Sequence, residues 1–224
     1  FEDKLSNEKI IKDFIDDVLK SKSLNNLPQD TINYIKNELN QNSSNPTKFV
    51  ISSEKVDMLC ENGSLISSYF HNVMNLFDKV SINIKYPNEN FDKIMKQVYK
   101  LKKKVTNLTV ILNVSGINSI DNKLAQNTAI NIVNLESPLE CIENEAFRGC
   151  SSLISVSLPD TLKTIGNFSF SECSSLNNIS IPSSVTTIGS YAFNDCSSLT
   201  KFSIPQSILT INEYTFNGCL FLNE

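Results

Sequence analysis

The C-terminal part of this chain repeats itself every 23 residues. Residues 151–173 read SSLISVSLPDTLKTIGNFSFSEC, residues 174–196 read SSLNNISIPSSVTTIGSYAFNDC, and residues 197–219 read SSLTKFSIPQSILTINEYTFNGC. A fixed period of this length marks a solenoid. Each repeat forms one turn, which cannot bury its own apolar face and stacks on its neighbours to do so.

Within each repeat the apolar residues keep fixed places. Leu153, Val156 and Leu158 correspond to Leu176, Ile179 and Ile181, and to Leu199, Phe202 and Ile204. The last two of each group flank one polar residue, the alternation of a short strand. Pro159, Pro182 and Pro205 follow and lack the N–H that a sheet needs, so the strand ends there. A second apolar pair comes next: Leu162 and Ile165, Val185 and Ile188, Ile208 and Ile211. Gly166, Gly189 and Asn212 then share a place, and Gly and Asn are the residues that tolerate positive φ, which predicts a left-handed corner. Two aromatic columns follow, Phe168, Tyr191 and Tyr214, then Phe170, Phe193 and Phe216, and both are expected in the core. The Thr164, Thr187, Thr210 column reads as a structural ladder between neighbouring turns.

A degenerate turn precedes these at 128–150, where Val133, Leu135, Leu139, Ile142, Phe147 and Cys150 hold their places. Farther upstream, strands are expected near 108–113, 80–86 and 49–52. Phe91, Ile94, Met95, Val98 and Tyr99 recur at helical spacing between two of them. Three more helices are expected. Ile10, Ile11, Phe14, Ile15, Val18 and Leu19 mark the first. Ile32, Ile35 and Leu39 mark the second, and Leu65, Tyr69, Val73, Met74 and Phe77 the third, over 64–78. The expected division is a helical N-terminal cap at 1–48, irregular helix-bearing repeats at 49–127, and regular repeats at 128–224. The fold class is an α/β solenoid. Leu222 stands one period after Leu199, which predicts that a further turn begins there and either continues or pairs with something, self-association through this end included.

The residues SIPSSVTTIGSYAFNDCSSL at 180–199 resemble the BspA-like, or treponemal-type, leucine-rich repeats, and the likeness extends over roughly 128–224. The resemblance implies a curved solenoid with a parallel β-sheet on its concave face and no catalytic residues. That family is found in bacterial surface proteins and in parasitic protists, and some members are thought to bind host or matrix proteins. The high Asn, Lys and Ile usage is similar to that of proteins from AT-rich protist genomes.

Charge and chemistry narrow the function. Residues 128–224 hold three Lys+Arg against nine Asp+Glu, and residues 1–127 hold seventeen against fifteen. A repeat region so poor in cations cannot neutralise a phosphate backbone, so no nucleic-acid partner is expected. No apolar run of 18 residues occurs, and no membrane-spanning segment is expected. The first residues, FEDKLSNEKI, are not a signal peptide. His71, the single histidine, has no second ligand at metal spacing and no positioned cysteine for nucleophilic catalysis. The expectation is therefore neither metal nor cofactor, and no enzyme. Lys100, Lys102, Lys103 and Lys104 end a predicted helix, where they complement its dipole.

Cys150, Cys173, Cys196 and Cys219 occupy one place in successive turns, with rungs about 4.8 Å apart. Stacked side chains point the same way, whereas a disulfide needs Cβ atoms facing each other. A buried column of free thiols is expected, and it suits a reducing compartment. Six N-x-[ST] sequons begin at Asn42, Asn62, Asn107, Asn113, Asn167 and Asn178, and secretion is the condition for their glycosylation.

The strand residues between the buried positions form the candidate binding face: Asn131, Asn134, Ser155, Ser157, Asn177, Asn178, Ser180, Thr200, Lys201 and Ser203, with Ile154 among them. The partner expected there is a protein. The reading is a cytoplasmic, non-catalytic interaction scaffold. The alternatives are a cell-surface adhesin for host or matrix protein, and a regulatory or targeting segment of a larger protein.

Overall fold

The computed structural model describes residues 48–52, 79–87, 89, 91–103, 105 and 108–222. The expected helices at 10–39 and 64–78, the second with His71, lie outside these residues. The chain divides into two compact units, 1–83 with 92–109 and 84–91 with 110–224.

In the first unit, strand β1 (Lys48–Ser52) pairs in parallel with strand β2 (Lys79–Tyr86), from Lys48 opposite Lys79 to Ser52 opposite Asn83. Helix α1 (Phe91–Lys102) forms over the segment whose spacing predicts it, with Asp92 in its first turn and Lys100 and Lys102 in its last. That charge order complements the helix dipole. Its buried face carries Ile94, Met95, Val98 and Leu101. Tyr99, expected on that face, is instead exposed.

The second unit is the solenoid, and it has two parallel sheets. Strands β3 (Leu108–Val114), β5 (Ile132–Leu135), β7 (Ser155–Ser157) and β9 (Asn178–Ile179) pair successively in one. Strands β4 (Ser119–Ile120), β6 (Cys141–Ile142), β8 (Thr164–Ile165) and β10 (Thr187–Ile188) pair successively in the other. The resemblance implies one sheet; the second comes from the apolar pairs after each Pro. Each pair contributes two residues, enough for a rung because the turns above and below repeat it.

Period-2 alternation sends Val133, Val156 and Ile179 inward from the first sheet, and Ile120, Ile142, Ile165 and Ile188 inward from the second. At the corner, Phe147, Phe170 and Phe193 are fully buried. Their rings stack in parallel at 5.1 and 5.3 Å, and Phe216 continues the column at 5.7 Å. Burying such side chains contributes about 1.5–3 kcal/mol each. The backbone is laddered there too: the amides of Phe147, Phe170 and Phe193 donate to the carbonyls of Ser169, Ala192 and Thr215, one turn on.

Three expectations need correction. Gly166 and Gly189 are not at positive φ. A Cβ on either would sit 2.6–2.7 Å from backbone atoms of the preceding turn, so close approach demands glycine there. The left-handed corner falls two residues later, on Phe168, Tyr191 and Tyr214 at φ of 55°, 59° and 55°. The strand of each repeat is also shorter than the alternation predicts: Leu158 lies past the end of β7 and is half-buried. In the last repeat only one bridge forms, Asn178 to Lys201. Ile204 and Ile211 there are 50% and 47% exposed.

Candidate binding surface

The outward residues of the first sheet stand in columns fixed by the parallel register. One column runs Ile132, Ser155, Asn178, Lys201, each residue paired with the next. A second runs Asn113, Asn134, Ser157, and Ser180 and Ser203 continue it at the repeat spacing. A third precedes the strands and holds Asn131, Ile154, Asn177 and Thr200. Ser157, Asn177, Asn178, Ser180, Thr200, Lys201 and Ser203 are exposed, and Asn134 and Ser155 half-buried.

The second column is a polar zipper. Asn134 Nδ2 donates to Asn113 Oδ1 at 2.8 Å, and Ser157 Oγ donates to Asn134 Oδ1 at 3.4 Å. Asn131 plays a different part from the one expected. Its Oδ1 accepts from the Val110 amide at 3.0 Å, and its Nδ2 donates to the Ser152 carbonyl at 3.2 Å. This amide braces the turns before and after it, and is already occupied. The Thr200 hydroxyl likewise donates to the Asn177 carbonyl, at 3.3 Å.

Sequence reasoning missed a second surface. Phe168, Tyr191 and Tyr214, expected in the core, form an outer column. Phe168 and Tyr191 are half-exposed and Tyr214 is 57% exposed. Their rings stack at 4.7 and 4.8 Å. A left-handed conformation costs a bulky residue about 1–2 kcal/mol, and each stacked pair returns about 0.5–1.5 kcal/mol. The Arg148 guanidinium lies 5.6 Å from the Phe168 ring centre and pairs with Glu145 and Glu172. A signal was present in the sequence: Glu145 occupies the same place one turn upstream, and a charged residue there argues for an outward position.

The thiol column is as expected. Cys150, Cys173, Cys196 and Cys219 are free, the first three buried. Each Sγ donates to the carbonyl 26 residues back, Leu124, Phe147, Phe170 and Phe193, at 3.1–3.2 Å. Burial pushes Cys150 up to about 12 and raises the other three as well. These thiols are neutral packing groups, the opposite of an activated nucleophile. Cys141 lines a shallow groove with Asn122, Glu143, Asn144 and Thr164. Its thiol too is pushed up, by burial and then by the Glu143 carboxylate. Among the described residues no group of three His, Cys, Asp or Glu is placed to hold a metal ion. No helix among them is long and apolar enough to cross a membrane.

A family model described as BspA type leucine-rich repeat region matches residues 61–153 and 118–224, in six copies. The chain belongs to this family. The match reaches well upstream of residue 128, where the resemblance read from the sequence stops. The longer connections there hide the period, although β3 repeats the buried alternation of the regular turns. No curated protein matches the chain. Three similar solved structures are bacterial. A leucine-rich cell surface protein from Faecalibacterium prausnitzii is 26% identical with a TM-score of 0.49, over 50% of this chain and 30% of its own. The leucine-rich repeat protein of T. pallidum is 24% identical with a TM-score of 0.43, over 51% of this chain and 67% of its own. One from Bacteroides ovatus is 28% identical with a TM-score of 0.40, over 50% and 38%. The chain thus spans less than a third of the length of the first of these.

Proposed function

We propose that this BspA-type repeat chain is a non-catalytic scaffold that holds a protein partner on the outer face of its first sheet. The observation that carries the reading is the register of Ser155, Asn178 and Lys201 beside Ser157, Ser180 and Ser203. It sets small polar side chains in a flat array, spaced at the strand repeat. Such a face hydrogen-bonds readily but lacks the Trp, Tyr and Arg anchors that dominate binding energy. The partner is therefore expected to bring the anchoring side chains.

A photo-crosslinking residue at position 178, with a control at position 187 on the other sheet, tests this. A discrete protein adduct at 178, absent at 187 and lost on Lys201→Glu, is expected. Equal labelling at both positions contradicts the reading.

The buried free thiols support an intracellular, cytoplasmic setting, where such thiols stay reduced. The Asn, Lys and Ile usage supports a protist source. The adhesin alternative draws on the sequon at Asn178, whose acceptor and Ser180 hydroxyl residue are both exposed. Protease shaving of intact cells separates the two settings: protection of repeat peptides until lysis is expected, and their release from unlysed cells favours the adhesin. A second copy of the chain is a further candidate partner, on the exposed Leu209, Leu220 and Phe221 of the last turn. Sedimentation in high salt, which leaves apolar contacts intact, tests that contact.

A further inference from the structure

Helix α1 turns a row of cations outward. Lys93, Lys96, Lys100 and Lys103 are all exposed and follow one another by three, four and three residues, which places them on one face. The row is about 15 Å long at the helical rise. Asp92 stands four residues before Lys96, and no acidic residue interrupts the row beyond it. Lys96 and Lys100, four residues apart, repel one another, which costs an isolated helix a few tenths of a kcal/mol. The opposite face of the helix is already buried through Ile94, Met95, Val98 and Leu101. It cannot be spent on entering a lipid layer, so whatever meets the row meets charge.

The complementary charge is in the same chain. Residues 128–224 carry a net charge of -6 from nine acids and three cations. Arg148 and Lys163 are taken up by Glu145, Glu172 and Glu140. That leaves Glu136, Glu143, Asp160, Asp195 and Glu213 exposed on the repeats, in none of the ion pairs formed among the described residues. Glu136 and Asp160 occupy the bends that follow β5 and β7, on successive turns. By the register of β5 and β7, Asp160 corresponds to Ser137, so the two acids lie one residue out of step at the same corner of neighbouring turns, which makes that corner the acidic repeat edge.

We propose that the lysine row of α1 docks on the acidic repeat edge of a second copy of this chain. The contact is heterologous, because the two surfaces differ, so successive copies join into an open chain or a closed ring. It is electrostatic and screened by salt, with a Debye length near 10 Å at 0.1 M.

Sedimentation velocity of the full 224-residue chain at 20 and 500 mM NaCl is the test. The sedimentation coefficient is expected to rise with protein concentration at 20 mM and to be concentration-independent at 500 mM. The Lys96→Glu/Lys100→Glu/Lys103→Glu variant is expected to be monomeric alone at 20 mM. Added to the wild type at 20 mM, it is expected to cap the association and lower the weight-average sedimentation coefficient, because its intact acidic edge occupies wild-type lysine rows and it offers none in return. A Glu136→Lys/Asp160→Lys variant is expected to be monomeric alone as well, and to bind the wild type through its own lysine row. Should the charge reversals unfold the helix, the Lys→Gln triple at the same positions keeps the face polar and still removes the charge. Three results would overturn the proposal. One is a monomer at 20 mM. Another is association that persists at 500 mM, which belongs to the apolar last turn. The third is binding to phosphatidylserine vesicles with no self-association.

Discussion

At the scale of single residues, the period sorts inside from outside. Phe193 lies fully buried between two stacked rings. Phe193→Ala is expected to cost about 3–5 kcal/mol, as for other buried Phe truncations. Asn178→Ala, on the exposed face, is expected to change stability by less than about 0.5 kcal/mol. Denaturant melts check both, and comparable losses would mean the two faces are wrongly assigned. Gly189→Ala is a third case. Its new Cβ would lie 2.6 Å from the Asn167 backbone nitrogen. The expected cost is about 1–3 kcal/mol, typical of overpacking, again from denaturant melts. The sequence made the glycine position visible and misled about its cause. Composition suggests positive φ, whereas contact with the neighbouring turn, which only coordinates reveal, is what excludes a side chain. The same blindness put Phe168, Tyr191 and Tyr214 in the core. Hydrophobicity alone does not distinguish a ring that packs inward from one that stacks along an outer edge.

At the scale of the element, each turn is stabilised chiefly by its neighbours. The strand positions of the first sheet were legible because alternation survives even in three residues. The two-residue strands of the second sheet were not, because so short a segment has no period of its own. Its pairing comes from the repeat. The thiol column gives this scale a pH prediction. A thiol free in the unfolded chain ionises near 9, and Cys150 in the fold is held to about 12. The unfolded state therefore loses its proton first as pH rises. The stabilising contribution is complete below about pH 9 and is lost progressively between pH 9 and 12. Thermal midpoints are expected to fall across that window, and to fall less in Cys150→Ala, measured by circular dichroism. An equal fall in both proteins would exclude the thiol as the cause. Hydrogen exchange addresses the same scale. The amides of Phe147, Phe170 and Phe193 are expected to exchange slowest, and those of the last turn, whose Ile208 and Phe216 are only half-buried, fastest.

At the scale of the whole chain, the regular repeats were readable from residue 128, and the family reaches to residue 61. The upstream turns were legible as irregular, helix-bearing repeats with strands near 80–86 and 108–113; their connections vary in length, so the family's pattern was read only from residue 128. The candidate face was legible as a position and opaque as a site. Period and alternation say which side chains point outward, and nothing in them says that Asn131 is already bonded to the turns on either side. The most direct measurement is peptide-mapped maleimide labelling of the cysteines in the native chain. A stacked solenoid requires the four repeat thiols to lie in one interior column. Cys141 and Cys219, each half-buried, are expected to react first. Cys150, Cys173 and Cys196 are expected to react only as the fold opens, and all four repeat cysteines to be fully labelled in denaturant without reductant. A disulfide within the column, or Cys173 labelled as fast as Cys141, would contradict the stacking of the turns and the proposed binding face built on it.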